Sequence, residues 1–206
     1  MIPAVAKHTT ELPEAAPLQS SVRIIGGTWR GRRVTFPALP GLRPTPDRVR
    51  ETLFNWLQHS IVDTTCLDLF AGSGALGLEA LSRGAKQVIF VEQAEPAARN
   101  LREQCQRLGA GTKADLQHMG AARYLASPPR PFDLVFLDPP FHQDLLKTLL
   151  PTLAAGPWVK EGTLVYLENE RASGAPTLPD RWELLKSKSA GEVGYHLARV
   201  KGTKAK

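Results

Sequence analysis

Cysteine is nearly absent from this sequence: Cys66 and Cys105 are the only two, far apart in a chain of 206 residues. Two such thiols make no disulfide framework, and with only five scattered histidines they offer no zinc-type ligand spacing. Long apolar runs are also missing, and nothing approaches the length of a membrane span. Met1 to Ala6 is mildly apolar, but Pro3 interrupts it and Lys7, His8 and Glu11 follow, so it lacks the apolar core of a secretory signal. The expectation is a soluble, cytoplasmic protein with no metal and no membrane contact. Acidic residues are outnumbered 20 to 26 by lysine and arginine, and the net charge of +6 points weakly to an anionic partner. What is present, 42% hydrophobic residues, suffices for one substantial core and a small appendage rather than two independent domains.

Residues 1–21 are rich in Ala, Pro and Thr without apolar periodicity and are expected to form a disordered leader. Residues 22–60 then read as an extension. Val22 to Phe36 holds two β-prone runs around Gly26, Gly27 and Gly31, as a hairpin would, and Asp47 is placed to cap a helix through Val49, Leu53, Phe54 and Leu57. From residue 61 to 201 strand and helix alternate. Strands are expected at Thr65–Phe70, Gln87–Glu92, Ala114–His118, Phe132–Leu137 and Thr163–Glu168, and helices around 75–82, 96–108, 121–125 and 144–153. The apolar run Leu134 to Leu137 implies cover on both faces, hence a mostly parallel sheet in an α/β fold. Trp182–Lys188 and Gly194–Val200 read as an antiparallel pair at one edge, and residues 202–206 as a basic tail.

The first strand runs into Asp68, Phe70, Ala71, Gly72, Ser73, Gly74, Leu76 and Gly77 and then a helix. Gly72, Gly74 and Gly77 match the dinucleotide fingerprint, with Glu92 about twenty residues on to bind ribose hydroxyls. The turn alone therefore fits a nucleotide-binding oxidoreductase and a methyltransferase equally, and a ligand-free strand-to-helix turn is a third reading. Asp68 tilts the choice, because a carboxylate there suits an ammonium group and repels a pyrophosphate.

A second loop, Asp138, Pro139, Pro140 and Phe141, follows an apolar strand at the end where α/β sheets bind ligands. An exocyclic base amine is a poor nucleophile because its lone pair is delocalised. Two acceptors, the Asp138 carboxylate and the Pro139 carbonyl, would hold its hydrogens and leave the lone pair aimed at an electrophilic methyl. The prolines remove competing N–H donors, and Phe141 is suited to stack on a flipped base. The bland alternative is a rigid strand exit with Phe141 in the core. A DNA adenine-N6 methyltransferase uses the same geometry and stays open at this point, although no separate target-recognition domain fits the length.

Arginines crowd the extension: Arg23, Arg30, Arg32 and Arg33, then Arg43, Arg48 and Arg50. Arginine's planar fork suits phosphate, and Trp29 among them is suited to stacking on an unpaired base. Two motifs here, Arg23-Ile24-Ile25-Gly26-Gly27 with Trp29 to Arg32, and Leu42 to Thr45 with Asp47 to Asn55, join the glycine turn and the Asp138 loop. Together the stretch from Arg23 to Glu170 resembles the bacterial 16S ribosomal RNA guanine-N2 methyltransferase family. That resemblance implies S-adenosylmethionine as cofactor and a Rossmann-like class I methyltransferase fold, with a seven-stranded sheet and an N-terminal hairpin and helix. It further implies that Asp68 and the turn face the methionine end, that Glu92 binds ribose, and that Gln93, Met119, Gly120 and Ala121 lie near the adenine. Thr45 and Arg48 would touch cofactor or target base. The implied partner is 16S rRNA, free or in an assembling small subunit, met by a monomer.

Overall fold

The computed structural model describes residues 19–39 and 45–202. Arg43, most of the expected leader and most of the basic tail lie outside them. The elements are β1 (Gln19–Arg23), β2 (Arg33–Pro37), α1 (Asp47–Trp56), β3 (Thr65–Asp68), α2 (Ala75–Ser82), β4 (Gln87–Glu92), α3 (Glu95–Leu108), β5 (Ala114–His118), α4 (Ala121–Leu125), β6 (Phe132–Leu137), α5 (Leu145–Ala155), β7 (Val159–Glu170), β8 (Trp182–Ala190) and β9 (Val193–Val200). β1 and β2 form a separate two-stranded antiparallel sheet; the other seven strands form one sheet in the order β5-β4-β3-β6-β7-β9-β8. The first five of these are parallel, and β9 and β8 close the edge antiparallel.

Alternation along the strands divides the core into two layers. Cys66, Val88, Phe90, Leu134, Phe136 and Tyr166 point to one face, which α2, α3, α1 and the hairpin cover through Leu78, Leu101, Phe54 and Phe36. Leu67, Ile89, Val135, Leu137 and Leu167 point to the other, covered by α4 and α5. The run Leu134 to Leu137 is buried on both faces, as expected of a central parallel strand. Because the extension shares its core with the sheet, it is built into the main body. Leu53, Phe54 and Leu57 are each 0% exposed, and each such burial contributes roughly 1.5–3 kcal/mol.

Four local expectations need correction. β1 begins at Gln19, inside the segment expected to be leader, because Ser21 and Ser20 find ladder partners in Thr35 and Phe36. Asp47 does not cap α1; the cap position is Pro46, and the Asp47 carboxylate instead pairs with Arg50 Nη2 at 2.6 Å. β3 stops at Asp68, where the chain turns toward α2, and β7 is longer than expected, starting at Val159.

Candidate active site

Sheet register assembles the site. β3 and β6 align Asp68 with Phe136, and β6 and β7 align Leu137 with Leu167, so Asp138 and Glu168 end level on neighbouring strands. Strand order reverses at β3, with β4 on one side and β6 on the other, the place where α/β sheets bind ligands. Asp68, Glu92, Asp138 and Glu168 continue the even-numbered face of their strands, the face covered by the extension. Four carboxylates thus converge on one edge of one face.

The glycine turn is held from below by two of them. Gly77 N–H donates to Asp68 Oδ2 at 3.1 Å, and Asp68 is only 1% exposed. Gly72 N–H and Ala94 N–H each donate to a separate Glu92 oxygen at 2.7 Å, tying the turn to the start of α3. Gly77 is required by packing, since a Cβ there would sit 2.2 Å from the Phe90 ring. Beside the turn, Gln93 and Gly120 approach each other where β4 and β5 end, and Met119 packs under them on the other apolar layer. Ser73, Gly74 and Leu76 are buried, whereas Phe70, Gly72 and Ala121 remain partly open.

The second loop carries the strained backbone. His142 and Asp144 adopt φ of 64° and 49°, a left-handed conformation that non-glycine residues rarely take and that concentrates at functional loops. Glu170 restrains this end of the loop, accepting from the His142 backbone N–H at 2.7 Å and lying 3.0 Å from its Nδ1. Pro139, Pro140 and Phe141 border a cavity of about 550 Å³ whose far walls include Leu145 and Leu178, and Glu168 also lines it. Phe141 is half-buried at its mouth.

Thr45 joins the site from the extension. Its hydroxyl lies 3.1 Å from Asp138 Oδ2 and 3.0 Å from Glu168 Oε1, and Tyr166 O–H donates to the same Glu168 oxygen at 2.7 Å. Burial raises all the inner acids: Asp68 to about 7, Asp138 to about 6 despite its hydrogen bond to Thr45, and Glu168 well above the usual range through burial and its neighbour Asp138. Among the described residues none of the four carboxylates forms an ion pair. An edge this rich in acid fits a cationic ligand, and a sulfonium and an ammonium on one molecule match it.

A family profile described as "Conserved hypothetical protein 95" matches residues 22–199. Ribosomal RNA small subunit methyltransferase D of Escherichia coli strain K12 is 48% identical over 176 residues, 85% of this chain and 88% of the relative. The Haemophilus influenzae protein of the same name is 44% identical over 182 residues, 87% of this chain and 94% of that one. The solved structure of the Escherichia coli protein yhhF superposes with a TM-score of 0.82 at 43% identity, over 88% of this chain and 99% of that one. The chain belongs to the methyltransferase D family.

Membership agrees with the class I methyltransferase fold described above and does not favour an oxidoreductase or a DNA adenine methyltransferase. Within this methyltransferase D chain, Asp68, the turn, Glu92, Asp138 and Thr45 come together at one edge. The arginines fall elsewhere. Arg23, Arg30, Arg32, Arg33 and Arg48 are exposed, and Arg23 and Arg33 stand directly opposite each other across the hairpin. Trp29 is half-buried against the core rather than fully presented, with its backbone N–H donating to Ser82 Oγ at 2.9 Å. Arg50, in the same basic run, is 0% exposed and structural. Sequence reasoning missed Glu168 and Tyr166, which carry no motif; the parallel register with the Asp138 strand is the only signal that finds them.

Proposed function

We propose that this chain transfers the methyl group of S-adenosylmethionine to the exocyclic N2 amine of a guanine in 16S ribosomal RNA, acting as a monomer on the free RNA or on an assembling small subunit. The observation that carries the reading is the Asp138 carboxylate beside the glycine turn, at an acidic strand edge that suits a cationic cofactor on one side and a hydrogen-rich amine on the other. When bound, S-adenosylmethionine supplies an electrophilic methyl on a positively charged sulfur. Asp68 and the residues from Phe70 to Gly77 hold the methionine end. Each Glu92 oxygen accepts one backbone N–H and keeps lone-pair capacity for a ribose hydroxyl. Gln93, Met119, Gly120 and Ala121 border the adenine.

On the substrate side, Asp138 and the Pro139 carbonyl accept from the two amine hydrogens and so favour a pyramidal nitrogen with its lone pair free. Asp138 then takes up the released proton. Phe141 stacks on the base at the mouth of the adjoining cavity. Arg23, Arg30, Arg32, Arg33, Arg43 and Arg48 bind the RNA backbone, with Trp29 at an unpaired base. The decisive test incubates the protein with methyl-labelled S-adenosylmethionine and small-subunit rRNA, free and in particles, and identifies the modified nucleoside by mass. N2-methylguanosine is expected; methylated adenosine, or no transfer to either substrate, overturns the reading.

A further inference from the structure

Three of the four converging carboxylates have a task in that reading, and Glu168 has none. It is 2% exposed, at the end of β7, with one oxygen taking the Tyr166 hydroxyl and lying against Thr45. A threonine hydroxyl owns a single hydrogen. Thr45 Oγ1 can donate it to Asp138 or to Glu168, at 3.1 and 3.0 Å, but not to both. Toward the other it presents a lone pair, so the second contact is attractive only if that carboxyl carries a proton and donates it back. Two carboxylates this close, with Glu168 2% exposed, resist double ionisation for the same reason.

The surroundings do not relieve the pair. Asp68 faces it from β3 as another acid, with Glu92 beyond Asp68 on β4, Tyr166 and Tyr195 add hydroxyls from β7 and β9, and both Asp68 and Tyr166 feel the charge of Asp138. Arg50 donates to the Thr45 carbonyl at 3.3 Å, but its remaining donors go to Arg23 O, Asp47 and Glu79.

We propose that Glu168 is a positioning residue for the methyl transfer: through the Thr45 hydroxyl it shares one proton with Asp138, so that the pair, rather than Asp138 alone, accepts the proton released by the amine. The inference rests on the methyltransferase reading for its substrate. As the new N–C bond forms, the C–S bond breaks with its electron pair going to sulfur. The nitrogen, now carrying the positive charge, gives one N–H proton to Asp138. Before transfer Glu168 holds the pair's one proton and donates it to Thr45 Oγ1, whose own hydrogen goes to the ionised Asp138; when Asp138 takes the amine proton the pair passes from one bound proton to two, and the charge that left sulfur is accounted for on the carboxyls. Asp138, which is partly open to solvent, then returns the extra proton to water. Thr45 precedes α1, so the extension supplies the link.

The test has two readouts. In protein carrying ¹³C-labelled carboxyls, Asp138 and Glu168 should titrate together in two steps, with both signals responding at each. Glu168→Gln keeps the shape and removes the charge. Asp138 should then titrate in a single step lying between the two of the wild-type pair, because the shared-proton form that favours the first ionisation and the like charge that opposes the second are both gone. In single-turnover methyl transfer, the acid limb should move up with it, the plateau rate should fall about tenfold, and the KM for S-adenosylmethionine should stay within about twofold of wild type. Thr45→Val should decouple the two carboxyls, and Thr45→Ser, which keeps the hydroxyl, should recover most of what Thr45→Val loses. A Glu168→Gln protein whose Asp138 titration superimposes on wild type, or a Thr45→Val protein with wild-type rate and pH profile, overturns the proposal. If Glu168→Gln does not fold, the Thr45 pair decides. Coupled titration in a protein that methylates no guanine overturns the substrate reading alone; guanine methylation with independent titrations overturns the role of Glu168 alone.

Discussion

At the residue scale the chemistry turns on acids that burial has made reluctant to ionise. Asp138→Ala removes one of two acceptors for the amine and the proton sink with it. Single-turnover rate should fall by about 10²–10³-fold, with S-adenosylmethionine affinity by calorimetry changed by no more than about threefold, since the cofactor edge is built on β3 and β4. Asp68 gives a prediction with a definite sign. Its folded-state value is raised by burial to about 7, so the free protein holds a proton there that the unfolded chain has already lost above its ordinary value. The stabilising contribution is present at acid pH and shrinks as pH rises through about 7. A bound ammonium favours the ionised form, so cofactor binding must expel that proton. Affinity should therefore weaken as pH falls from about 8 to about 5.5, by about tenfold per pH unit well below the raised value if one proton is released. Calorimetry in buffers of different ionisation heat counts that proton, and a flat affinity across the range would mean that Asp68 does not meet the cofactor's charge.

At the element scale a buried acid on α2 helps latch the hairpin turn to the main body, beside the hydrogen bonds of Ser82. Glu79, on α2 and 0% exposed, accepts from the backbone N–H groups of Ile25 and Gly26 at 2.7 and 2.8 Å and pairs with Arg83 and Arg50. Gly27 lets the hairpin turn come this close, with φ at 76° and no room for a Cβ against Ser82 O at 1.8 Å. Glu79→Ala leaves the two amides without that acceptor and takes a buried carboxylate from Arg50 and Arg83, Arg50 keeping Asp47 and the Arg23 and Thr45 carbonyls. A loss of about 3–5 kcal/mol in denaturant unfolding is expected, and a loss under about 1 kcal/mol would show that the latch is dispensable. This latch was invisible in the sequence, whereas the glycine turn and the Asp138 loop were not. The latter two are contiguous segments in which strand pattern, turn chemistry and site residue coincide. Arg50 and Glu79 are separated by 29 positions and Glu79 lies in no motif, so Arg50 read as one more arginine of the basic run. Glu168 was hidden for a similar reason: a lone strand-end acid becomes informative only when register sets it level with Asp138. Asp47 misled because an aspartate before a helix usually caps it, and here the stronger partner was Arg50, three residues on.

At the scale of the whole molecule, acid and base are segregated. Acidic side chains gather at the carboxyl edge of the sheet, and exposed arginines gather on the extension that shares the core of the same face. Arg23 and Arg33 are cross-strand neighbours on the outer side of the hairpin; like charges directly opposite destabilise a strand pair unless an anion lies over them. Few protein partners compete for these charges: Arg33 reaches Ser21 Oγ at 3.1 Å and Arg32 the Arg107 carbonyl at 3.2 Å, both neutral acceptors. If the face binds phosphate, each arginine in contact releases about one counterion, and log Kd for rRNA against log salt should flatten by roughly 0.7–0.9 for each one removed. Arg23→Ala, Arg30→Ala, Arg32→Ala and Arg33→Ala combined should therefore reduce the slope by roughly three to three and a half and weaken RNA binding most at low salt. S-adenosylmethionine binding should not change, because none of the four side chains reaches the carboxyl edge. Filter binding across a salt series checks it. A parallel shift with unchanged slope would assign these arginines a structural role and send the search for the RNA surface to the rest of the basic charge.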